Sequence, residues 1–155
     1  MALSDYQGRV VDVMAFQGAD PFGKFSLDPA LISSTSGGFL CTGIQKLAQR
    51  WILEFLTEKG SLRYLPLRGC TFLTAARAGN LTTELDVFQA FLLSKNAMEN
   101  NLFNEETGLE PADERYNSCS LNSVVISQDT VTLNFTIVSR AGSSRKIIIP
   151  IDTTI

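Results

Sequence analysis

The sequence predicts an α+β fold in which two main helices pack on a C-terminal antiparallel β-meander, preceded by an irregular N-terminal arm. Between residues 43 and 104, apolar side chains recur at the three- and four-residue steps of amphipathic helices. From Leu121 onward they alternate with polar residues, which is the period of strands. Glycine, proline and serine cluster before this region. We therefore expect an arm over residues 1–41 and a single α+β domain over residues 42–155.

The first helix is predicted from about Gly43 to Glu58. Thr42 and Gln45 stand at capping-box spacing at its start, and Gly60 follows its end as a left-handed C-cap. The apolar stripe that would face the core consists of Ile44, Leu47, Ala48, Trp51, Ile52, Phe55 and Leu56.

A second helix is predicted from Leu81 to about Asn104, with Asn80 or Thr82 as its N-cap. We expect its core face to be formed by Leu81, Leu85, Phe88, Phe91, Leu92, Met98 and Leu102.

Two linkers adjoin this helix. Residues 61–73 are predicted to form an extended loop whose bends are fixed by Pro66 and Gly69. Residues 105–115 form an acidic stretch that Gly108 and Pro111 interrupt.

The meander should contain three strands. Gln128 and Asp129 form a tight turn before the central strand, and residues 141–144 turn into the last one. The alternation is clearest in the central strand, where the apolar set is Val131, Leu133, Phe135 and Ile137.

The last strand allows two interpretations. Ile147, Ile148 and Ile149 are apolar on both faces, and Pro150 has no N–H to donate to a ladder. Such a strand is either covered inside the domain or placed as an edge that another chain pairs with. Both can hold on different faces.

Composition restricts the chemistry that this chain can perform. There is no histidine, which removes Ser–His and Cys–His pairs and every histidine-containing zinc site. Cys41, Cys70 and Cys119 lack metal or redox spacing, so reduced, packed thiols in a cytosolic setting are expected. A formal charge of −3 without a basic stripe argues against nucleic-acid or lipid partners, and no segment is apolar enough for a membrane span. We expect no cofactor.

Three stretches carry a resemblance to a known family: residues 42–52, residues 56–61 and the Pro/Gly loop over residues 66–73. Their order, followed by an acid–Arg motif and a meander, resembles the baseplate wedge or sheath-initiator family of contractile-tailed phages, related to a type VI secretion baseplate subunit. The match covers roughly residues 40–151. That family has a Glu-Pro-Arg tripeptide between its last helix and first C-terminal strand. Asp113-Glu114-Arg115 stands there in this chain, without the proline.

The resemblance implies a structural subunit rather than an enzyme. Such a subunit binds the helical core bundle of the baseplate wedge, and its C-terminal strands template the first ring of the tail sheath by strand pairing. It implies six copies per baseplate and a place in the virion after assembly in the host cytoplasm. The partner-binding residues expected on this basis are Glu114, Arg115, Ile147, Ile148, Ile149 and Ile151.

Other interpretations stay open. The corner at Glu114 and Arg115 could be a local salt bridge without any partner. The family has also carried a lysozyme label, and a glycosidase needs two carboxylates beside a sugar cleft, one with a raised pKa. The candidates for that pair are Glu54, Glu58, Glu105, Glu106 and Asp113. A third possibility is an interaction adaptor outside any tail.

Overall fold

The computed structural model describes residues 9–10, 12–13 and 40–153. The predicted α+β class is confirmed, because helices precede a three-stranded antiparallel sheet. Most of the predicted arm, residues 1–41, lies outside the described residues. The elements in chain order are β1 (Asp12–Val13), β2 (Leu40–Cys41), α1 (Gly43–Phe55), α2 (Phe72–Arg77), α3 (Glu84–Glu105), β3 (Tyr116–Ser127), β4 (Thr130–Ser139) and β5 (Ser144–Asp152).

Helix α1 begins where the sequence predicts but is capped differently. Thr42 is extended, yet its side chain forms no capping hydrogen bond, so the predicted Thr42–Gln45 capping box is wrong. The predicted end at Glu58 is also wrong, because α1 ends at Phe55. After it, the Cys70 N–H donates to the Thr57 carbonyl at 2.9 Å, which pulls the chain away from the helix axis. Non-local contacts therefore set both ends of α1.

Helix α2 lies partly within the predicted loop over residues 61–73. Its Phe72 and Ala76 are buried four residues apart on one face. A six-residue helix is too short to show a convincing period, so the sequence pattern did not reveal it.

Helix α3 is capped by Thr83, and the predicted caps Asn80 and Thr82 are wrong. The Thr83 hydroxyl accepts from the Asp86 N–H, and the Asp86 carboxylate accepts from the Thr83 N–H. The predicted start at Leu81 is wrong, because α3 begins at Glu84. Only part of the predicted core face is buried, namely Leu81, Phe91, Met98 and Leu102, and Val87 is buried as well. The predicted members Leu85, Phe88 and Leu92 are exposed instead.

The three-stranded sheet has the order β3-β4-β5, with the Gln128–Asp129 turn where it was predicted. The first strand begins at Tyr116, earlier than the expected start at Leu121. The β3–β4 register shifts twice, between Tyr116 and Ser118 and between Leu121 and Ser123. The β4–β5 register runs without a shift from Val138↔Ser144 to Thr130↔Asp152.

The core lies between the helices and one face of this sheet. Trp51 stacks on Phe55 with ring centroids 5.1 Å apart, and Phe135 of β4 approaches the Trp51 ring to 4.6 Å. Phe91 of α3 completes the aromatic cluster. These rings bury large apolar areas and fix how the helices lie on the sheet. Trp51 is therefore a core anchor in this fold.

Candidate partner-binding surfaces

The predicted corner brings Glu114 to the start of α1. The Glu114 side chain is buried, and its Oε1 accepts a hydrogen bond from the Gly43 N–H at 3.1 Å. Its Oε2 lies 2.8 Å from Lys46 Nζ, one helical turn further on. A carboxylate at a helix N-terminus satisfies an orphan N–H and interacts favourably with the helix dipole. Glu114 thus supplies the capping interaction that Thr42 does not.

Residues from the N-terminal part of the chain also contact this corner. Arg9 forms a 2.8 Å ion pair with Asp113, and Lys46 donates to the Val10 carbonyl at 2.8 Å. Both acids of the corner are thus bonded within the chain, although to Arg9 and Lys46 and not to Arg115. A partner would meet the partly exposed Asp113 before the buried Glu114.

Arg115 behaves differently from Glu114. Its carbonyl accepts from the Arg140 N–H, whereas its side chain forms no hydrogen bond or ion pair with any described residue. The Nε atom is buried and lacks an acceptor. A partly buried guanidinium without an acceptor is costly unless an anion or carbonyl reaches it. Of the two predicted corner residues, Arg115 is the one with hydrogen-bonding capacity left.

The isoleucines of β5 divide between two faces. Ile147, Ile149 and Ile151 are buried in the core, whereas Ile148 is half-buried on the opposite face. The interpretation of internal packing therefore holds for three of the four predicted residues. Whether another strand can pair with the outer edge of β5 depends on its backbone groups and not on these side chains.

Two hydrogen bonds at the ends of the β4–β5 ladder determine which residues of β5 bond to β4 and which face the outer edge. Ser139 N–H donates to the Ser143 carbonyl, and Thr153 N–H donates to the Asp129 carbonyl, each at 2.8 Å. Because hydrogen-bonded pairs alternate in an antiparallel ladder, odd-numbered residues of β5 bond to β4. The backbone N–H and C=O groups of even-numbered residues therefore point to the outer edge, where no described strand pairs with them.

Glu54 is a functional candidate whose role the sequence did not reveal. Its buried carboxylate accepts from the Gly69 N–H and from Asn101 Nδ2, each at 2.9 Å, and pairs with Arg68 at 2.9 Å. Burial by itself would raise the pKa of Glu54, but the hydrogen bonds from Gly69, Arg68 and Asn101 lower it. Glu54 thereby anchors the loop that precedes α2.

Each carboxylate considered for glycosidase chemistry forms an ion pair with an arginine, including Asp113 with Arg9 and Glu54 with Arg68. Glu54 has a lowered pKa, the opposite of what a general acid requires. Glu58 pairs with Arg77, Glu105 with Arg50 and Arg68, and Glu106 with Arg140.

No three Cys, Asp or Glu side chains among residues 9–10, 12–13 and 40–153 converge as ligands for a metal ion. None of the helices described is both long enough and apolar enough to cross a bilayer.

Comparison of the chain with family models, with curated proteins and with solved structures found no match.

Proposed function

We propose that this chain is a structural baseplate subunit of a contractile tail. In this role its helical part binds the wedge core bundle, and β5 initiates sheath assembly by pairing with a strand of the sheath protein. The proposal rests on the resemblance of residues 40–151 to the sheath-initiator family. The structural observation that carries it is the regular outer edge of β5 over residues 144–150, with which none of the described strands pairs.

The two edges of the sheet differ in their capacity to accept a strand. Strand β3 has two register shifts, and bulges of this kind protect an edge from pairing. Strand β5 keeps one register over Ser144–Asp152, so its outward N–H and C=O groups keep a regular spacing. Strand addition requires such a template. This comparison favours β5 over β3 as the edge that accepts a strand.

Pro150 limits the length of that template. As an even-numbered residue it directs its nitrogen to the outer edge, where proline lacks an N–H. Lys146 and Ile148 keep theirs. An added strand would therefore find its donors in the first part of β5, and the half-buried Ile148 lies beside them.

The helical part exposes an apolar surface on α3. On α3, Leu85 and Leu93 are 63% and 69% exposed, while Phe88 is 44% exposed. The opposite face of the same helix is buried in the core. A helix that is apolar on both faces is typical of one that packs between two layers. This property fits a subunit that docks on a helical bundle.

No specific observation favours either alternative, the glycosidase or the free-standing adaptor. The glycosidase interpretation is not favoured at Glu54, whose pKa is lowered rather than raised. A free-standing adaptor shares the same surfaces and differs only in its location. Mass spectrometry of contractile particles, purified from cells that produce this chain, distinguishes the adaptor interpretation from the baseplate interpretation. Absence of the chain from intact particles would contradict the proposal.

The β5 edge is tested by a pair of substitutions at one position. Ile148→Pro removes an outward N–H and leaves the odd-numbered bonds to β4, whereas Ile148→Thr keeps the N–H and removes similar apolar bulk. We expect Ile148→Pro to reduce copurification with the co-expressed sheath protein by about tenfold, the worth of one lost hydrogen bond. Ile148→Thr should stay close to wild type.

Deletion of β5 would be a poorer test, because it also removes three buried isoleucines from the core. Thermal unfolding of both variants checks that the fold persists. Equal copurification of the proline and threonine variants would exclude pairing through this edge.

A further inference from the structure

The loop between α1 and α2 exposes four large apolar side chains. Leu62, Tyr64, Leu65 and Leu67 are 43%, 86%, 53% and 71% exposed. We call residues 61–68, together with the adjoining Leu53 of α1, the apolar loop surface. An exposed apolar patch of this kind marks an interaction site.

The loop is held rigidly at its base. The Lys59 N–H donates to the Cys70 carbonyl at 3.0 Å, and the Cys70 N–H donates to the Thr57 carbonyl at 2.9 Å. At Gly69, φ is 85° and an added Cβ would lie 2.2 Å from the Thr57 carbonyl oxygen, so only glycine fits. The Glu54 carboxylate bonds to the same glycine. A surface fixed before binding loses less conformational entropy when a partner docks.

Leu65 forms a ridge between two concavities. One of about 280 Å³ lies between the loop and α3 and is lined by Tyr64, Leu67 and Asn101. The other, of about 360 Å³, lies towards α1 and is lined by Leu53 and Leu62, among others. Two hollows on either side of a ridge accept successive side chains from one stripe of a helix. The loop has internal turns and no strand edge, so strand addition has no template here.

The charged side chains of this surface that form no ion pair with a described residue carry a positive charge. Arg63 and Lys59 are exposed and form no ion pair with any described residue. The neighbouring acids have partners within the chain, and Asp12, which lines the second hollow, accepts from Gln49 Nε2 at 3.2 Å. Glu54 pairs with Arg68, Glu105 with Arg50 and Arg68, and Glu58 with Arg77. Acidic groups on a partner would therefore complement Arg63, whose guanidinium lies over the Tyr64 ring, and Lys59.

We propose that the apolar loop surface docks an acidic amphipathic α-helix of a partner protein, with apolar side chains at i, i+4 and i+7 entering the hollows beside Leu65. Glu or Asp residues flanking that stripe would face Arg63 and Lys59. This inference rests on the proposed function and deepens it, because it states which chemistry the helical partner presents.

The test uses a stapled, fluorescein-labelled peptide of about 20 residues, long enough to hold a helix. It carries leucine at i, i+4 and i+7 with glutamate on both sides. Two matched peptides replace the glutamates by lysine or the leucines by serine. Fluorescence anisotropy against the full chain should show saturable binding of the acidic peptide. Binding should weaken by about tenfold for each matched peptide and also when salt rises from about 0.05 M to about 0.5 M.

Variants of the chain locate the binding. Arg63→Glu and Leu65→Ser should each lower affinity for the acidic peptide by about tenfold. Gln128→Glu, which adds a negative charge at an exposed position of the β3–β4 turn, should leave affinity unchanged. Amide shifts of the labelled chain should change around residues 61–68 on titration. Absence of binding, equal binding of acidic and basic peptides, or shifts confined to another surface would overturn the inference.

The outcomes separate this inference from the proposed function. A failure of peptide binding with a normal Ile148→Pro effect removes only the acidic-helix inference. Peptide binding without any Ile148→Pro effect removes only the pairing of β5 with the sheath.

Discussion

The Glu114 carboxylate accepts a hydrogen bond from the Gly43 N–H at 3.1 Å, which joins the corner before β3 to the first residue of α1. Lys46 lies on the other carboxylate oxygen at 2.8 Å. The corner that precedes the sheet therefore also determines where the first helix begins. Long-range capping of this kind couples the helical layer to the meander.

The first prediction concerns this cap. Glu114→Gln keeps the shape of the side chain but removes the charge from the helix N-terminus and from Lys46. We expect the free energy of unfolding to fall by about 1–3 kcal/mol in urea denaturation at neutral pH. Asp129→Asn in the β3–β4 turn is the control, because the exposed Asp129 side chain forms no hydrogen bond or ion pair with any described residue, so stability should change by less than about 0.5 kcal/mol. Equal effects would contradict the capping role.

The second prediction concerns pH. The pKa of Glu54 is lowered in the folded chain, so the folded carboxylate binds protons less readily than the unfolded one. Its contribution is complete above the unfolded pKa of about 4.3 and is lost as pH falls through the lowered folded pKa. Glu54→Gln should therefore cost about 1–3 kcal/mol at pH 7, and the difference from wild type should shrink in acid. Urea denaturation at several pH values measures this. A difference that is constant with pH would contradict it.

The third prediction uses two glycines with similar backbone angles. Gly69 and Gly60 have φ of 85° and 87°. An added Cβ at Gly60 meets nothing within 4 Å, whereas at Gly69 it meets the Thr57 carbonyl oxygen. Gly60→Ala should cost about 1–2 kcal/mol through its backbone angle alone. Gly69→Ala adds a backbone clash and should lower the melting temperature distinctly further. Similar melting temperatures would show that the close approach is relaxed in solution.

The fourth prediction concerns the thiols. Burial raises the pKa of Cys41 to about 11 and that of Cys119 to about 12, and it also raises the pKa of Cys70. The thiolate is the reactive form, so none of the three should react quickly with a disulfide reagent at pH 8 in the folded chain. All three should react in denaturant. Rapid labelling of a folded thiol, located by mass spectrometry, would contradict its burial.

Periodicity in the sequence predicted the elements that are long and one-sided. The meander and the Trp51 stripe are confirmed because strict alternation and an amphipathic stripe both reflect burial directly. Helix α3 was found, but its apolar residues lie all around the axis, so its core face was assigned too broadly.

The features that the sequence did not predict depend on partners far along the chain. Glu114 caps α1. Glu54 fixes the loop before α2, because its carboxylate accepts hydrogen bonds from the Gly69 N–H and from Asn101 Nδ2. Local spacing carries no signal for such contacts. Thr42 looked like a cap because its neighbours in sequence fit the pattern, yet a distant carboxylate occupies that position.

Pro150 affects whether β5 pairs more favourably with a second copy of this chain or with a strand of another protein. If two copies paired through β5 across residue 150, each would bring a proline, and two donors would be missing from the shared ladder. A foreign strand without proline loses only one. At about 1 kcal/mol for each hydrogen bond, this single residue would favour pairing with a foreign strand over pairing with a second copy by about fivefold.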